Sequence, residues 1–438
     1  MAHMQGAPGP QRPLRVNPCP IVITNANILD VVHGSLSANR MEVRIEAGMI
    51  ACVGHAVVRR DGDMIVDACG ATLMPGLIDM HVHVTAWSAN FRDLTLPGAA
   101  YTTARAKHVL EGMLMRGFTS VRDAGGADFG LARAVEEGWL RGPRLFYCGH
   151  AISQTGGHGD LRQPGEHAEP CACALALGRV CDGVSAVRKA CREEIRNGAT
   201  HLKIMVSGGV SSPCDRIDST QFAEDELTAA VEEANAANIP IMAHAYTARA
   251  INRALQCGVS SIEHGNLMDE SSVTLFRSTG AFYVPTLSTY KALVEEGTQQ
   301  GLPADCYDKI FAVLDAGIRA LEMAHKGGVK ICFGTDLLGD MHRHQLMEFG
   351  IRAQVQPCAD VIRGATCTAA ELLGHSGKLG VVVQGARADL ILVDGNPLED
   401  LAVLQEPEQR LRLVMKAGVV HKNLQPTTTS CSEGVQPM

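Results

Sequence analysis

Hydrophobic and polar residues alternate along this chain in two different rhythms. Near both ends, short apolar runs with polar residues at every second position are separated by glycine-bearing turns, which predicts β-strands. Between the ends, short apolar runs alternate with amphipathic stretches such as residues 224–238 and 312–326, which predict helices. The strands predicted in this central part cover residues 71–80, 120–123, 145–152, 201–206, 239–245, 261–263, 282–287 and 329–335.

Strands that alternate with helices favour an α/β fold with a parallel sheet. The central runs are eight in number, which favours a closed (β/α)8 TIM barrel over an open sheet. Residues 1–19, rich in Pro and Gly, are predicted to be a flexible lead-in, and the polar residues 426–438 a disordered tail.

One connection is too long for an ordinary loop. Residues 153–182 are rich in Gly, Pro and Cys and follow the third predicted strand of the barrel. Loops after barrel strands lie at the catalytic face, where long ones often cover or bind the substrate. We therefore expect this insertion beside the active site.

Composition and charge exclude several classes of partner. The chain is 46% hydrophobic and 20% charged, enough for a large core, and its net charge of −8 argues against nucleic-acid binding. It contains no apolar run of about 18 residues that would span a membrane. No secretory signal is visible, so we expect a cytoplasmic protein, although Met1 to Met4 have the character of a cloning remnant.

The 15 cysteines show no repeating spacing that would suggest a disulfide framework. Several lie in apolar runs, where a thiol acts as a small hydrophobe, which indicates a reducing compartment. Cys171 and Cys173, with Cys181 nearby, lack a second matching pair and are weak evidence for a zinc site.

The first predicted strand of the barrel ends in two histidines. His81 and His83 are two residues apart, so on a strand both side chains point to the same side and can face the barrel axis. A single pair of this kind is common by chance in a chain with 17 histidines. It gains meaning only from the groups on other strands.

Lys203 lies inside the apolar run of residues 201–206. A buried lysine is costly unless it is neutralised or paired. It either forms a buried ion pair or supplies a neutral amine that reacts with carbon dioxide. The resulting carbamate has two oxygens and can bridge two cations.

Three further polar groups end later strands. His244 ends the fifth, His264 follows Glu263 at the end of the sixth, and Asp336 follows the eighth. In barrels the carboxyl ends of the strands build the active site. Each group alone is more often structural, but packing does not explain six such groups in this order.

This pattern resembles the amidohydrolase superfamily, in its binuclear subtype with a carboxylated lysine. The resemblance covers nearly the whole chain. It implies a small β-sandwich domain from both chain ends, residues 20–74 and 380–425, around a barrel of residues 75–379. Within the superfamily, residues 201–213 and the Gly-His-Gly run at 157–159 are most similar to Xaa-Pro dipeptidase-like enzymes and ochratoxin-hydrolysing amidases.

The resemblance implies a role for each of these groups. His81, His83 and Asp336 would bind the more buried of two divalent metal ions. His244 and His264 would bind the more exposed one.

Lys203, carboxylated, and a hydroxide would bridge the two ions, and zinc suits imidazole and oxygen ligands. The hydroxide would attack an amide carbonyl. Asp336 would move a proton from the nucleophile to the leaving amine, and His264 would help to stabilise the oxyanion.

The implied activity is the release of a C-terminal amino acid from a dipeptide or an N-acyl amino acid. The hydrolysis of ochratoxin A to ochratoxin alpha and L-phenylalanine is one such reaction. Tyr246 is a candidate to donate its hydroxyl to the substrate. His158, His150 and Arg216 are further candidates for substrate binding. Relatives are homo-oligomers, often octamers, which implies the same for this chain.

Two alternatives stay open. A cyclic-amide hydrolase of the hydantoinase, dihydroorotase or imidazolonepropionase kind shares the superfamily, but the sequence around the lysine differs or the lysine is absent. A non-catalytic scaffold on the same fold would have lost metal ligands. Asp123 is expected to order the barrel mouth by hydrogen bonding. His342 and His344 are expected at the surface or behind the ligands.

Overall fold

The computed structural model of the chain describes residues 19–95, 98–168, 176–212, 215–303 and 306–429. Its strands are β1 (Ile21–Asp30), β2 (Ser35–Leu36), β3 (Met41–Glu46), β4 (Met49–Gly54), β5 (Met64–Asp67), β6 (Thr72–Pro75), β7 (Leu77–Val82), β8 (Phe118–Asp123), β9 (Arg144–Tyr147), β10 (Ala151–Ser153), β11 (Gly178–Val180), β12 (Leu202–Met205), β13 (Ile241–Thr247), β14 (Ser261–Leu267), β15 (Phe282–Val284), β16 (Lys330–Ile331), β17 (Leu390–Val393), β18 (Leu411–Lys416), β19 (Val419–Asn423) and β20 (Thr427–Thr429).

Its α-helices are α1 (Ala99–Met115), α2 (Phe129–Glu136), α3 (Val184–Arg196), α4 (Glu224–Ala236), α5 (Ala248–Cys257), α6 (Glu270–Thr279), α7 (Leu287–Glu296), α8 (Tyr307–Lys326), α9 (Met347–Arg352), α10 (Cys358–Gly364), α11 (Cys367–Leu372), α12 (Ala402–Gln405) and α13 (Pro407–Arg410). Further 3-10 helices cover Phe91–Thr95 and Gly339–His344.

Both ends of the chain build a β-domain, made of β1 to β6 and β17 to β20. Strand β1 pairs with β3 and β5 over its first half and with β6 and β2 over its second. Its pairing with β3 shifts register around Asn25. The φ of Asn25 is +55°, a conformation that asparagine tolerates better than most residues. The C-terminal β17 pairs with β6, so that Leu390 lies opposite Pro75.

The central strands form a TIM-barrel-like α/β structure. Strands β7, β8 and β9 form one parallel sheet, and β10 to β16 form a second. Backbone hydrogen bonds connect the two sheets. The Met80 N–H donates to Phe333 O at 2.8 Å, and the Thr200 N–H donates to Tyr147 O at 2.8 Å. The α/β class expected from the alternating pattern is therefore confirmed.

The helices cover the outside of the strands through their apolar faces. Helix α5 shows why: the Thr247 hydroxyl accepts from Ala250 N at its start, and Gly258, with φ +96°, ends it. It buries Ala250, Ile251, Ala254 and Leu255, the spacing of one helical face. These residues pack with β12, β13 and α4 into one core cluster.

Two predicted strands are in fact four. The run 71–80 divides at Gly76 into β6 of the β-domain and β7 of the TIM-barrel-like part. A Cβ at Gly76 would lie 2.2 Å from Oγ1 of Thr119, so the close approach of another strand requires glycine there. The run 145–152 likewise divides into β9 and β10, with Gly149 between them at φ +74°.

The chain ends differ in part from the prediction. The disordered tail was expected from residue 426, but residues 427–429 form β20, which pairs antiparallel with β5. Their hydrogen bonds are made with a strand distant in sequence, which local composition does not report. The lead-in predicted for residues 1–19 lies outside the described residues apart from Cys19, as does the tail beyond Thr429.

The described part of the insertion lies beside the barrel mouth, as expected. It contributes β11, parallel to β10. Cys171 and Cys173 lie outside the described residues. The cysteines that the structure does describe form no disulfide bond. Among the described helices, none combines the length and hydrophobicity that crossing a membrane requires.

Candidate metal centre

Three candidate ligands meet at the end of β7. His81 lies in β7 and His83 directly after it, and the two Nε2 atoms lie 3.4 and 3.3 Å from Oδ1 of Asp336. One ligand atom from each residue lies within 4.8 Å of the others. This separation suits three ligands around one metal ion, because metal–ligand bonds of about 2 Å allow the ligand atoms to lie 3–4 Å apart.

Hydrogen bonds orient both imidazoles. Nδ1 of His83 donates to Gly125 O at 2.9 Å, since a carbonyl oxygen only accepts. Nδ1 of His81 lies 2.8 Å from Oε2 of Glu263. Both contacts place a proton on Nδ1, so Nε2, the nitrogen that faces Asp336, is the one that would bind a metal ion.

Asp336 and His264 both adopt a left-handed backbone conformation, with φ of +52° and +70°. Such conformations are unfavourable for residues other than glycine and concentrate at functional sites. The Asp336 N–H donates to His81 O at 2.8 Å, and the Tyr283 hydroxyl donates to His264 O at 2.8 Å. These bonds help to hold both side chains at the strand ends.

His244 and His264 extend the cluster. The His264 ring centroid lies 4.9 Å from that of His81 and 4.6 Å from that of His244. Nε2 of His244 donates to Gly208 O at 3.2 Å, which leaves its Nδ1 unprotonated. Lys203, only 1% exposed, lines the same cleft from β12. The structure thus brings all six predicted ligands together.

The electrostatics suit a cation. Burial lowers the pKa of His81 and His244 well below the usual value and that of His264 to about 3, so these imidazoles are neutral at pH 7. Burial also lowers the pKa of Lys203 to about 8. Burial raises the pKa of the Asp336 carboxyl, but the contact with His83, whose own pKa is raised, holds it below the usual range. Neutral imidazoles beside an ionised carboxylate match the donor set of a divalent metal ion.

The cluster forms the polar floor of a cleft. Its walls are mainly apolar, made by Phe91, Leu161, Leu177, Val210, Leu293 and Leu338. Leu161 and Leu177 belong to the insertion after the third predicted strand. The cleft therefore offers an apolar pocket directly above the candidate ligands.

His158 also lies in this cleft, 8% exposed and stacked on His244 with 4.3 Å between the ring centroids. Nδ1 of His158 lies 3.2 Å from Oδ2 of Asp215, and Gln221 bridges the two residues. A Cβ at Gly209 would lie 2.3 Å from Cε1 of His158. The ring thus has a carboxylate partner on one side and a glycine beside it.

Tyr246 is buried at the same floor. Its ring stacks on that of His264 at 5.2 Å, and its hydroxyl lies 2.8 Å from the Tyr290 hydroxyl. Tyr290 in turn donates to Oδ1 of Asn266 at 3.3 Å. Tyr246 is therefore part of a short hydrogen-bonded chain that leads away from the cluster.

Two predicted substrate-binding residues do not reach the cleft. The Arg216 side chain is 83% exposed and paired with Asp218. His150 faces Glu194, with 3.0 Å between Nδ1 and Oε1. Neither contributes to the lining of the cleft. Sequence proximity to the insertion and to the lysine strand suggested them, but the chain turns both away.

The surrounding residues match the prediction in part. Asp123 orders the mouth as expected, since its carboxylate accepts from the N–H groups of Val84, Gly125 and Ala127. His344 is partly exposed and paired with Glu296. His342, expected at the surface or behind the ligands, is buried, with Nε2 bonded to Ala86 O.

Sequence reasoning missed the residues that support the ligands. Glu263 links His81 to Arg122, whose guanidinium donates to Oε1 at 2.8 Å. Asp79 accepts from His81 N, Thr335 Oγ1 and Gln345 Nε2. Both acids are fully buried. A charged residue within an apolar strand was the signal that could have identified them.

This fold and this cluster define a class, the metal-dependent hydrolases built on a TIM-barrel-like α/β domain. A model of the amidohydrolase family matches residues 72–420. The chain belongs to this family and is a hydrolase that acts on amide or peptide bonds. The resemblance inferred from the six ligands is thereby confirmed.

Three similar proteins illustrate the branch. Ochratoxinase from Aspergillus niger is 33% identical over 364 residues, which cover 80% of this chain and 75% of that protein. A crystal structure of a prolidase with N-methylphosphonate-L-proline has 48% identity and a TM-score of 0.90, and covers 92% of this chain and 100% of that chain. A structure of a Xaa-Pro dipeptidase with bound methionine has 29% identity and a TM-score of 0.82. It covers 92% of this chain and 100% of that chain.

Proposed function

We propose that this enzyme releases the C-terminal amino acid from a dipeptide or an N-acyl amino acid. The observation that carries the proposal is the convergence of neutral imidazoles, a lysine and a carboxylate below an apolar cleft. The likeness to a prolidase complexed with N-methylphosphonate-L-proline and to ochratoxinase supports it.

His81, His83 and Asp336 would hold one divalent metal ion, and His244 and His264 a second. The mainly imidazole donors favour zinc. When bound, such ions lower the pKa of water and polarise a carbonyl oxygen.

Lys203 would bridge the two ions after carboxylation of Nζ. The step joins the neutral amine to carbon dioxide, forms a carbamate and releases one proton. Its pKa of about 8 supports this step, since a substantial fraction of the amine is neutral near pH 7–8.

Asp336 is the proposed proton carrier. Because its pKa is low, the carboxylate is ionised at neutral pH and accepts a proton from the attacking water. It then donates that proton to the leaving nitrogen. His264, whose Nδ1 lies 3.9 Å from Oδ2 of Asp336, would help to stabilise the oxyanion.

Tyr246 and His158 are the proposed donors to the substrate's carbonyl oxygen and terminal carboxylate. No arginine is among the described residues that line the cleft. Recognition of the carboxylate would therefore rely on hydrogen bonds from these two side chains. Nδ1 of His158 donates to the Asp215 carboxylate, so the ring must carry both protons, as an imidazolium, for Nε2 to donate to the substrate.

The hydrogen bond between the hydroxyls of Tyr246 and Tyr290 determines whether Tyr246 has a proton to donate to the substrate. Each hydroxyl has one proton, and Tyr290 lies 2.8 Å from Tyr246 but 3.3 Å from Oδ1 of Asn266. For Tyr246 to donate to the substrate, Tyr290 must turn its proton from Asn266 towards Tyr246. After this change Tyr290 would donate across the 2.8 Å contact with Tyr246, which is shorter than its 3.3 Å contact with Asn266.

The apolar walls favour a substrate with a hydrophobic side chain. Burial of a large apolar side chain contributes about 1.5–3 kcal/mol of binding free energy. Ochratoxin A, an N-acyl phenylalanine, and dipeptides that end in a hydrophobic residue or proline meet this requirement.

A hydrolysis screen tests the proposal. The panel contains N-acyl amino acids, Xaa-amino acid dipeptides and ochratoxin A, each with and without chelator. C-terminally amidated versions of the same dipeptides serve as matched controls, because they keep the scissile bond and lose the carboxylate. We expect cleavage of the free acids, loss of activity with chelator and slower cleavage of the amidated forms.

Other results would contradict it. Turnover restricted to hydantoins, dihydroorotate or other cyclic amides would favour the cyclic-amide alternative. Equal cleavage of the acid and the amide would refute recognition of the carboxylate. Full activity after complete removal of metal would refute the metal-dependent mechanism.

We also propose that the two parallel sheets close into one (β/α)8 barrel and that the β-domain is a sandwich. The hydrogen bonds from Met80 to Phe333 and from Thr200 to Tyr147 support closure, since they lie where the sheets adjoin. The bend of β1 at Asn25 supports two layers in the β-domain.

A further inference from the structure

A second cavity lies outside the candidate metal centre. It lies between α1 and the 3-10 helix Gly339–His344. We call it the Arg116 cavity and define it by Trp87, Arg105, Arg116, Asp340 and Arg343 in its lining. None of these residues lines the cleft of the candidate metal centre.

Arg116 in this cavity is a half-buried cation, and no carboxylate of the described residues lies within ion-pair distance of it. Its Nε donates to Oε1 of Gln345 at 3.2 Å. Its Nη2 is buried, and among the described residues it has no hydrogen-bond partner. A buried charge is usually paired, because removing it from water otherwise costs several kcal/mol. Burial lowers the pKa of Arg116 to about 10, and the charge of Asp79 acts against this shift.

Trp87 adds a second unused donor. Its indole Nε1 is buried and, within the described part of the chain, has no hydrogen-bond partner either. A buried tryptophan N–H usually finds an acceptor. The Arg105 guanidinium lies over the Trp87 ring, 5.5 Å from its centroid, and fixes the ring in place. The cavity thus contains two buried N–H groups that need an acceptor.

The charged side chains that line the cavity are mostly positive. Three arginines line it, and Asp340 is the single carboxylate in its described lining. Arg105 lies 3.8 Å from Asp340, and Arg343 is paired with Glu296 outside the cavity. Asp340 therefore lies nearest Arg105, and Arg116 has no carboxylate partner within the described lining of the cavity.

These features indicate which kind of ligand the cavity would bind. A water molecule would satisfy the donors but leave Arg116 without an anion in direct contact. A cation would be repelled. A carboxylate or phosphate group supplies both negative charge and several acceptor oxygens, the combination that arginine binds most strongly.

We propose that the Arg116 cavity is a binding site for a small oxyanion that accepts hydrogen bonds from Arg116 and Trp87. The site is independent of the proposed function, since none of the candidate metal ligands takes part. It is nevertheless connected to them. Gln345, which binds Arg116, also donates to Asp79, and Asp79 accepts from the backbone N–H of His81.

Tryptophan fluorescence gives a local test, because the chain has only Trp87 and Trp139. Trp139 is 61% exposed, so Trp139→Phe leaves Trp87 as the single reporter. The metal-loaded protein is titrated with inorganic phosphate and, separately, with acetate, while chloride keeps the ionic strength constant. We expect a saturable change in fluorescence and a rise in Tm with at least one of the two anions.

Variants separate this site from anion binding elsewhere. Arg116→Gln should weaken the affinity at least tenfold, whereas Arg133→Gln on the surface should not change it. Trp87→Phe removes the N–H but keeps the ring, and should reduce the Tm shift severalfold. If Arg116→Gln does not fold, the Tm shift of Trp87→Phe with the anion tests the proposal.

Two results would overturn the proposal. One is the absence of saturation with both phosphate and acetate in the Trp139→Phe protein. The other is an anion affinity that is unchanged in Trp87→Phe, because binding at the metal centre or at the surface would survive that change. Saturation with phosphate alone or acetate alone would identify the oxyanion class.

Discussion

Nδ1 of His81 and Oε2 of Glu263 lie 2.8 Å apart, and both side chains are buried. The second oxygen of Glu263 accepts from Arg122 at 2.8 Å and from Ser261 at 2.6 Å. One carboxylate therefore orients a candidate metal ligand and neutralises a buried arginine. Such a bond fixes the tautomer of the histidine and increases its basicity towards a metal ion.

We expect Glu263→Gln to weaken metal binding. The amide has one acceptor oxygen, so it cannot serve both His81 and Arg122 as the carboxylate does. Changes of this kind typically reduce metal affinity about 10–100-fold. Competition with a chelator measures the effect. Glu322→Gln, which alters an exposed ion pair with Lys326, is the matched control. Metal retention equal to that of the wild type would show that Glu263 does not support the ligand.

Lys203→Ala should abolish activity. The change removes the group proposed to bridge the two metal ions and leaves a gap in a buried strand. A short carboxylic acid such as formate or acetate can occupy that gap and supply two oxygens, so we expect partial recovery of kcat. The measurement is hydrolysis by the metal-loaded variant with increasing carboxylate. Full activity of Lys203→Ala without any addition would disprove the bridging role.

The sequence predicted the candidate ligands because their constraints are local. A polar residue at the end of an apolar strand is visible in the chain itself, as for His81, His244 and Asp336. The parallel arrangement of the strands then brings such ends to one edge. The strand alternation also predicted the α/β class.

The sequence could not predict contacts between distant segments. Arg216 follows the lysine strand but turns to Asp218, whereas Asp215, one residue before it, reaches His158. Nothing in the local pattern distinguishes the two. Gly76 divides a continuous apolar run because Thr119 approaches it, and β20 forms because β5 is available. These outcomes depend on packing between residues far apart along the chain.

Acid should weaken the β-domain through Asp63. The Arg44 guanidinium donates to both of its oxygens and holds the pKa of the Asp63 carboxyl below the usual range. Because the pKa is lowered in the folded state, this stabilisation is present above the unfolded value of about 3.9 and is lost as the pH falls through the folded pKa.

The test is a comparison of Tm at pH 7 and at low pH. Asp63→Asn leaves Glu46 as the remaining carboxylate partner of Arg44, so the cost at neutral pH should be below the roughly 3–5 kcal/mol that breaking a buried ion pair typically causes. Its Tm should therefore be lower at pH 7 and approach that of the wild type in acid. Asp61→Asn, at an exposed position of the same loop, is the control. A constant difference in Tm across the pH range would exclude the linkage.

The substitution Gly209→Ala tests whether the position of His158 matters for substrate binding. Alanine there would place a Cβ 2.3 Å from Cε1 and 2.6 Å from Nε2 of His158, so the ring must move. Displacement of a positioning group by about 1 Å can cost 10²-fold in rate, and we expect kcat/KM to fall about 10–100-fold, mainly through KM. Gly54→Ala, where the nearest atom would be 3.6 Å away, is the matched control. Metal content should stay unchanged, which separates a loss of substrate contact from damage to His244. Unchanged KM in a correctly metallated Gly209→Ala enzyme would show that His158 does not contact the substrate.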